Sequence, residues 1–311
     1  MMQTSDKICL VTGGTSGIGA AAAQQLAHHG LTVVLVGRNA AKCQRQVQKI
    51  RRAAKGAHVD FIQADLSSQT QIRDVAGEFQ KRYSHLDVLI NNAGAIFSKR
   101  FLTVDGLEMT FALNHLSYFL LTSLLLDQLK ASTSGRVIVV SSAAHEQGYV
   151  NFEDLQMEHC YDRVRAYAQS KLANLLFTYA LARRLEGTRI TANALNPGSV
   201  TSNFGANNGW LRTRLRNLLV HDMISCQEGA KTVVYLATSK DVEGVTCEYY
   251  YKCKPIRSSD ASHDAVTAEQ LWHLSERLCG LTWCQPDGIP AVDKERCGTS
   301  QRLHQQGSVL T

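Results

Sequence analysis

Proline is scarce in this chain, with four in 311 residues, which excludes collagen-like and proline-rich extended architectures. Charge is modest as well: charged residues make up 19% and the net charge is +6, without a dense Lys/Arg block. Nucleic-acid binding calls for such a block, so nucleic acid is not an expected partner. The mild positive balance favours encounter with anionic small molecules. Long apolar runs are missing too. Phe119–Leu126 is leucine-rich and uncharged, but it falls well short of the ~20 residues that a membrane-spanning helix needs and reads as part of a buried helix. Polar Met1–Lys7 runs straight into the first strand pattern, so the expectation is a soluble, cytoplasmic chain without leader or anchor. The nine cysteines show no Cys-x-x-Cys pair and no His at zinc spacing. No metal site is expected, and all nine read as reduced thiols of a reducing compartment.

What the chain does have is alternation. Ile8–Val11, Val33–Val36, Phe61–Gln63, Val88–Ile90, Val137–Val140 and Ile190–Leu195 are short runs, mostly apolar and rich in β-branched residues, the pattern of strands buried on both faces. Ala20–His29, Ala40–Arg52, Gln71–Arg82 and Leu107–Leu129 lie between them with helical periodicity, and a helix from Tyr167 to about Arg184 follows. Glu228–Ala237 and Thr267–Leu278 read as further helices and Thr246–Tyr251 as a last strand. Strand–helix alternation of this kind predicts an α/β fold, one doubly wound parallel sheet with right-handed crossovers and helices on both faces. One domain over 1–283 is expected, with a mobile tail over 284–311 where Gly and polar residues dissolve the pattern.

The first strand runs into Thr12-Gly13-Gly14-Thr15-Ser16-Gly17-Ile18-Gly19, and a helix of small residues follows. Glycines let a backbone turn tightly and approach a pyrophosphate, and a helix N-terminus offers free N–H groups and partial positive charge. After the second strand comes Gly37-Arg38-Asn39, where an acid would usually meet a ribose hydroxyl. Arg38 can instead fork onto a 2′-phosphate. Tyr167 and Lys171 are spaced four apart and share one helix face, and a neighbouring cation draws a phenol's pKa of ~10 toward the neutral range. Ser142 follows a strand in Ser141-Ser142-Ala143-Ala144 and is placed to polarise a carbonyl.

In this order, the Thr-Gly-x-x-x-Gly-x-Gly loop, Asn91-Asn92-Ala93-Gly94, Ser142 and Tyr-x-x-x-Lys resemble the short-chain dehydrogenase/reductase family over about Lys7 to Leu281. The resemblance implies a Rossmann fold, and Arg38 in place of an acid makes NADP(H) the expected cofactor. It implies that Gly13, Thr15, Ser16, Gly17, Ile18 and Gly19 cradle phosphate, that Asp65 and Leu66 meet adenine, and that Asn92, Ala93 and Gly94 border the cofactor. Asn91 would chiefly stabilise the sheet. Pro197 and Gly198 would turn the chain and bring Val200 and Thr201 against carboxamide and phosphates. Asn114, Ser142, Tyr167 and Lys171 match the catalytic tetrad, with Asn114 holding a relay water, Ser142 the substrate oxygen, Tyr167 the proton and Lys171 the ribose.

Asn151-Phe152-Glu153-Asp154-Leu155, Ala166–Asn174, Tyr250–Lys254 and Ala268–Trp272 are similar to the retinol dehydrogenase branch, whose members act on retinal and other lipophilic aldehydes and ketones. A substrate flap is expected over about 203–225, where Trp210, Leu211, Leu215, Leu218 and Leu219 give an apolar side and Arg212, Arg214 and Arg216 a solvated basic one. The expected partner is a small carbonyl or alcohol compound. A homo-oligomer stays open, membrane contact is not predicted, and the alternative function is an NADPH-binding sensor or scaffold with little turnover.

Overall fold

The computed structural model describes residues 7–200 and 223–283. Its strands are β1 (Ile8–Thr12), β2 (Thr32–Gly37), β3 (Val59–Gln63), β4 (Val88–Asn91), β5 (Arg136–Val140), β6 (Thr191–Asn196), β7 (Tyr249–Tyr251) and β8 (Lys254–Ile256). They form one sheet in the order β3-β2-β1-β4-β5-β6-β7-β8. Every neighbouring pair is parallel except β7 with β8. The doubly wound parallel sheet expected from the alternation is therefore present, with an antiparallel strand added at one edge.

Side chains of the central strands alternate between two cores. Leu10, Val34, Val36, Leu89, Val137 and Val139 face one; Cys9, Val11, Val33, Leu35, Ile90 and Ile138 face the other. Both sets are apolar because helices cover both faces. The second core is closed by α1 (Gly17–His28), α2 (Ala40–Ala53) and α8 (Cys226–Thr238). The first is closed by α3 (Gln69–Arg82), α5 (Ser117–Leu124), α7 (Arg163–Arg184) and α9 (Ala265–Cys279). Short α4 (Met109–Phe111) and α6 (Leu126–Ala131) flank α5.

Several boundaries differ from the sequence expectation, each for a local reason. The helix expected over Leu107–Leu129 starts only after Glu108, whose carboxylate accepts the amides of Thr110 and Phe111. It widens into a π-turn over Ala112–Leu116 and breaks at Leu125 (φ −101°, ψ 10°) before α6. The helix expected to open at Tyr167 begins a turn earlier, where Asp162 accepts the amides of Val164 and Arg165. The last strand is shorter than Thr246–Tyr251 because Cys247 takes φ +68° and Thr246 bonds Ala192 through its hydroxyl instead of the ladder. Lys252 and Cys253 then both turn left-handed (φ 49° and 60°), the geometry of a two-residue hairpin turn that usually calls for Asn-Gly. Cys247 is also disulfide-bonded, which corrects the expectation of nine reduced thiols; Cys9, Cys43, Cys160, Cys226, Cys253 and Cys279 are free. The expected tail over 284–311 and most of the expected flap lie outside the described residues. None of the described helices is long and apolar enough to cross a membrane.

Candidate active site

Strand order reverses between β1 and β4, and the crevice beyond the carboxyl ends of such strands is where an open α/β sheet can receive a ligand. A cleft of about 630 Å³ lies there. Gly13, Thr15, Ser16, Gly17 and Ile18 form its floor, with Asn92, Ala93 and Gly94 alongside. Gly13 and Gly17 have φ of +67° and +57°, values that side chains rarely tolerate. Gly19 stands behind the wall, because a Cβ there would come within 2.5 Å of the Gly13 carbonyl oxygen and of Asn92 Nδ2. The N-cap Ser16 makes no side-chain hydrogen bond and α1 has no acid in its first turn, so the helix end keeps its N–H groups and positive potential for an anion. These features fit a dinucleotide pyrophosphate.

Thr12 aligns this loop with β4. Its hydroxyl donates to the Ile90 carbonyl at 3.1 Å and accepts the amides of Asn92 and Ala93 at 2.8 and 3.0 Å, while Asn92 Nδ2 donates to the Thr12 carbonyl. Asn91 is fully buried and donates to Thr122 on α5, a structural contact. At one end of the cleft, Arg38 and Lys42 line the wall together, and no carboxylate among the described residues is ion-paired with either. Leu66 lines the cleft. Asp65 does not, and its carboxylate holds the amide and hydroxyl of Ser67. Pro197, Gly198 and Val200 close the opposite side, with Gly198 at φ +82°. Thr201 lies outside the described residues.

At that opposite side Ser142, Tyr167 and Lys171 converge on the cleft. Ser142 leaves β5 in an extended conformation and caps a 3₁₀ turn (Ala143–Gln147), accepting the amide of Ala144. Its side chain lies near enough to the Tyr167 phenol to favour the ionised form of that group. Lys171, one turn along α7, donates from Nζ to the Val140 carbonyl at 2.9 Å and lies 5.6 Å from the centre of the Tyr167 ring. Asn114 sits in the π-turn, wholly buried, and is not on the cleft wall. Its Oδ1 accepts the Ala95 amide, and its Nδ2 donates to the Ala95 carbonyl and to Ser170 Oγ. The side chain thus binds the strand-β4 loop to α7.

Electrostatically the pair departs from the expectation that Lys171 pulls the phenol down. Burial pushes Tyr167 up to about 12, against the lowering influence of Ser142. Burial also takes Lys171 down to about 7. Each group resists charging because its shell is dry.

Residues 7–209 match the family described as short chain dehydrogenase. The chain belongs to the short-chain dehydrogenase family. It is 41% identical over 284 residues to human polyprenol dehydrogenase, covering 89% of this chain and 86% of that one. It is 41% identical over 288 residues to mouse retinol dehydrogenase 14, covering 88% and 86%. Among solved structures, an uncharacterised protein of Mycobacterium paratuberculosis superposes with a TM-score of 0.73 at 32% identity, covering 90% of this chain and 96% of that one. As a short-chain dehydrogenase the protein is an oxidoreductase of carbonyl and alcohol carbons that uses a nicotinamide cofactor. In this dehydrogenase the sequence reading missed Thr12 as the loop's anchor and Lys42 as the second cation. Lys42 had a legible signal, lying four residues after Arg38 at the start of a helix. The lining contributions of Phe97, Leu113, Ser199 and Met223 carried none.

Proposed function

We propose that the protein reduces a lipophilic aldehyde or ketone, retinal-like or other, with NADPH, and that Tyr167 gives the proton. The observation that carries this reading is one cleft with a cation pair, Arg38 and Lys42, at one end and the Ser142–Tyr167–Lys171 cluster at the other. The cations favour a 2′-phosphate through charge-assisted bonds, and no acid follows β2 to select a free ribose hydroxyl. Apolar Phe97, Leu113 and Met223 line the same cleft and suit a lipophilic substrate.

Bound there, the nicotinamide would supply the hydride. The protein's own residues do the remaining work. Ser142 holds the substrate oxygen, and Tyr167 delivers its phenolic proton to that oxygen as the hydride arrives at carbon. Lys171, held by the Val140 carbonyl, stabilises the phenolate left behind. Asn114 fixes the Ala95 backbone and α7 in register.

The test is turnover with NADPH and NADH against all-trans-retinal, octanal, a naphthoquinone and a steroid ketone. NADPH should be preferred, Arg38→Ala should erase much of that preference, and Tyr167→Phe should lower kcat by about 10²–10⁴-fold with NADPH affinity little changed. An NADH preference would defeat the cofactor assignment. Tight NADPH binding without turnover across the panel would favour a sensor.

A further inference from the structure

His145 lies three residues after the serine of the site and belongs to no part of the mechanism above. It is 1% exposed. Its Nε2 is 3.1 Å from the amide nitrogen of Ser259, and an amide N–H can only donate, so Nε2 accepts. The ring proton therefore sits on Nδ1, which donates to the Ser142 carbonyl at 2.7 Å. The His145 amide donates to the same oxygen at 3.1 Å. Upstream, Ser142 is already held by its neighbour, since the Ser141 amide donates to Leu195 on β6 and the Ser141 hydroxyl to the Lys171 carbonyl on α7. Downstream, the imidazole is the side-chain brace.

The far end of that brace is firm. Ser258, next to Ser259, shares a 2.7 Å hydrogen bond with the Tyr179 hydroxyl on α7, and the Tyr179 ring stacks on His263 at 5.0 Å. The imidazole meets Tyr249 of β7 edge-on at 5.1 Å. We propose that His145 is a positioning residue whose neutral Nδ1–H tautomer ties the main chain of Ser142 to the 258–259 segment, and so sets where the Ser142 hydroxyl stands relative to Tyr167. This inference rests on the proposed role of the Ser142–Tyr167 pair. Protonation would put a second N–H against the Ser259 amide and break the brace. Burial holds the imidazole below its ordinary pKa against the raising influence of the Ser142 bond and Glu146. His263 and Tyr249 are the other titratable groups facing it.

The experiment compares wild type with His145→Phe, His145→Asn, Ser259→Pro and Tyr167→Phe. It reads kcat with octanal and all-trans-retinal, NADPH affinity by fluorescence, thermal melting, and the long-range ¹H–¹⁵N imidazole signals lost in His145→Phe. His145→Phe keeps a ring against Tyr249 without either hydrogen bond. It should lower kcat by roughly 10- to 100-fold, the scale of a small misplacement of a reacting group, with NADPH affinity within about two-fold. His145→Asn places a donor near the Nδ1 position and should recover a large part of that loss. The wild-type signals should report the Nδ1–H tautomer. Unchanged kcat in His145→Phe, an Nε2–H tautomer, or parallel losses of kcat and NADPH affinity that Asn does not rescue would each overturn the inference. Should His145→Phe not fold, Ser259→Pro removes the outer donor, together with a buried hydroxyl that has no hydrogen-bond partner among the described residues, at a residue whose φ of −60° already suits proline; there, wild-type kcat overturns the proposal and a kcat-selective loss supports it. The two levels fail separately. Full turnover in Tyr167→Phe brings down the reading of the site, whereas an inactive Tyr167→Phe beside a fully active His145→Phe brings down only the brace.

Discussion

Lys171 carries two opposed demands. Its amine must reach the cofactor side of the cleft, yet it is 3% exposed and its visible partners are a carbonyl oxygen and the faces of Tyr167 and Tyr118. Desolvation wins, and Lys171 sits at about 7 against an unfolded value near 10.5. Between those values the unfolded chain binds the extra proton, so rising pH must stabilise the fold through this residue. Tyr167 acts the other way and only later, because its folded value near 12 exceeds its unfolded value near 10. Lys171→Met deletes the first effect alone. Without cofactor, the variant's advantage in urea unfolding should shrink by roughly 2 kcal/mol between pH 7.5 and 9.5. A difference that stays flat with pH would mean that the native lysine titrates normally. Tyr167 and Lys171 were legible because a four-residue spacing on a helix is a statement about geometry; their charge states were not, because burial depends on Tyr118 and the other neighbours that only the fold brings in.

Elements explain which parts of the loop and helix pattern could be read. Strands β1 to β6 follow from short, mostly apolar runs set between helical patterns. Turns did not follow where unusual residues take unusual conformations, as Lys252 and Cys253 do with positive φ. The π-turn around Asn114 was equally hidden, since apolar spacing cannot register one extra residue in a turn, although such turns favour functional positions. The glycine loop tests the argument quantitatively. Gly19→Ala drives a methyl to 2.5 Å from the backbone oxygen of Gly13, which cannot move without moving the phosphate floor. NADPH affinity should fall by at least about 10-fold and the melting temperature should drop. Gly14→Ala meets the end of the Leu35 side chain at 2.8 Å, a softer obstacle, and should cost less on both counts. Gly77→Ala in α3 meets nothing within 4 Å and should raise stability by about 0.5–1 kcal/mol with unchanged kinetics. Equal damage from Gly14→Ala and Gly19→Ala would mean that general loop crowding, not the approach to Gly13, controls binding.

At the scale of the molecule, α7 joins function to stability. Its N-terminal half carries Tyr167 and Lys171, and its C-terminal half is the bed on which α9 packs. Trp272 of α9 is 2% exposed. It stacks on Phe177 at 5.9 Å, meets Phe119 and Trp283 edge-on at 4.9 and 5.0 Å, and lies 4.0 Å beneath the Arg184 guanidinium. Arg184 in turn donates to Glu269. The pattern of Thr267–Leu278 announced a helix, but not that an aromatic cluster and an arginine would receive it. From Tyr167 to Arg184 the helix rises about 25 Å, far enough for stability and catalysis to vary independently. Trp272→Ala should therefore remove about 3–5 kcal/mol, a fall of roughly 6–20 °C in melting temperature for a domain of this size. At 20 °C, with the protein folded, kcat should stay within about two-fold of wild type. Calorimetry and kinetics on one preparation decide between two pictures. A kcat that falls in step with stability while circular dichroism shows native helix content would mean that α9 sets the position of the catalytic turn through the length of α7, and that the two halves of that helix do not act independently.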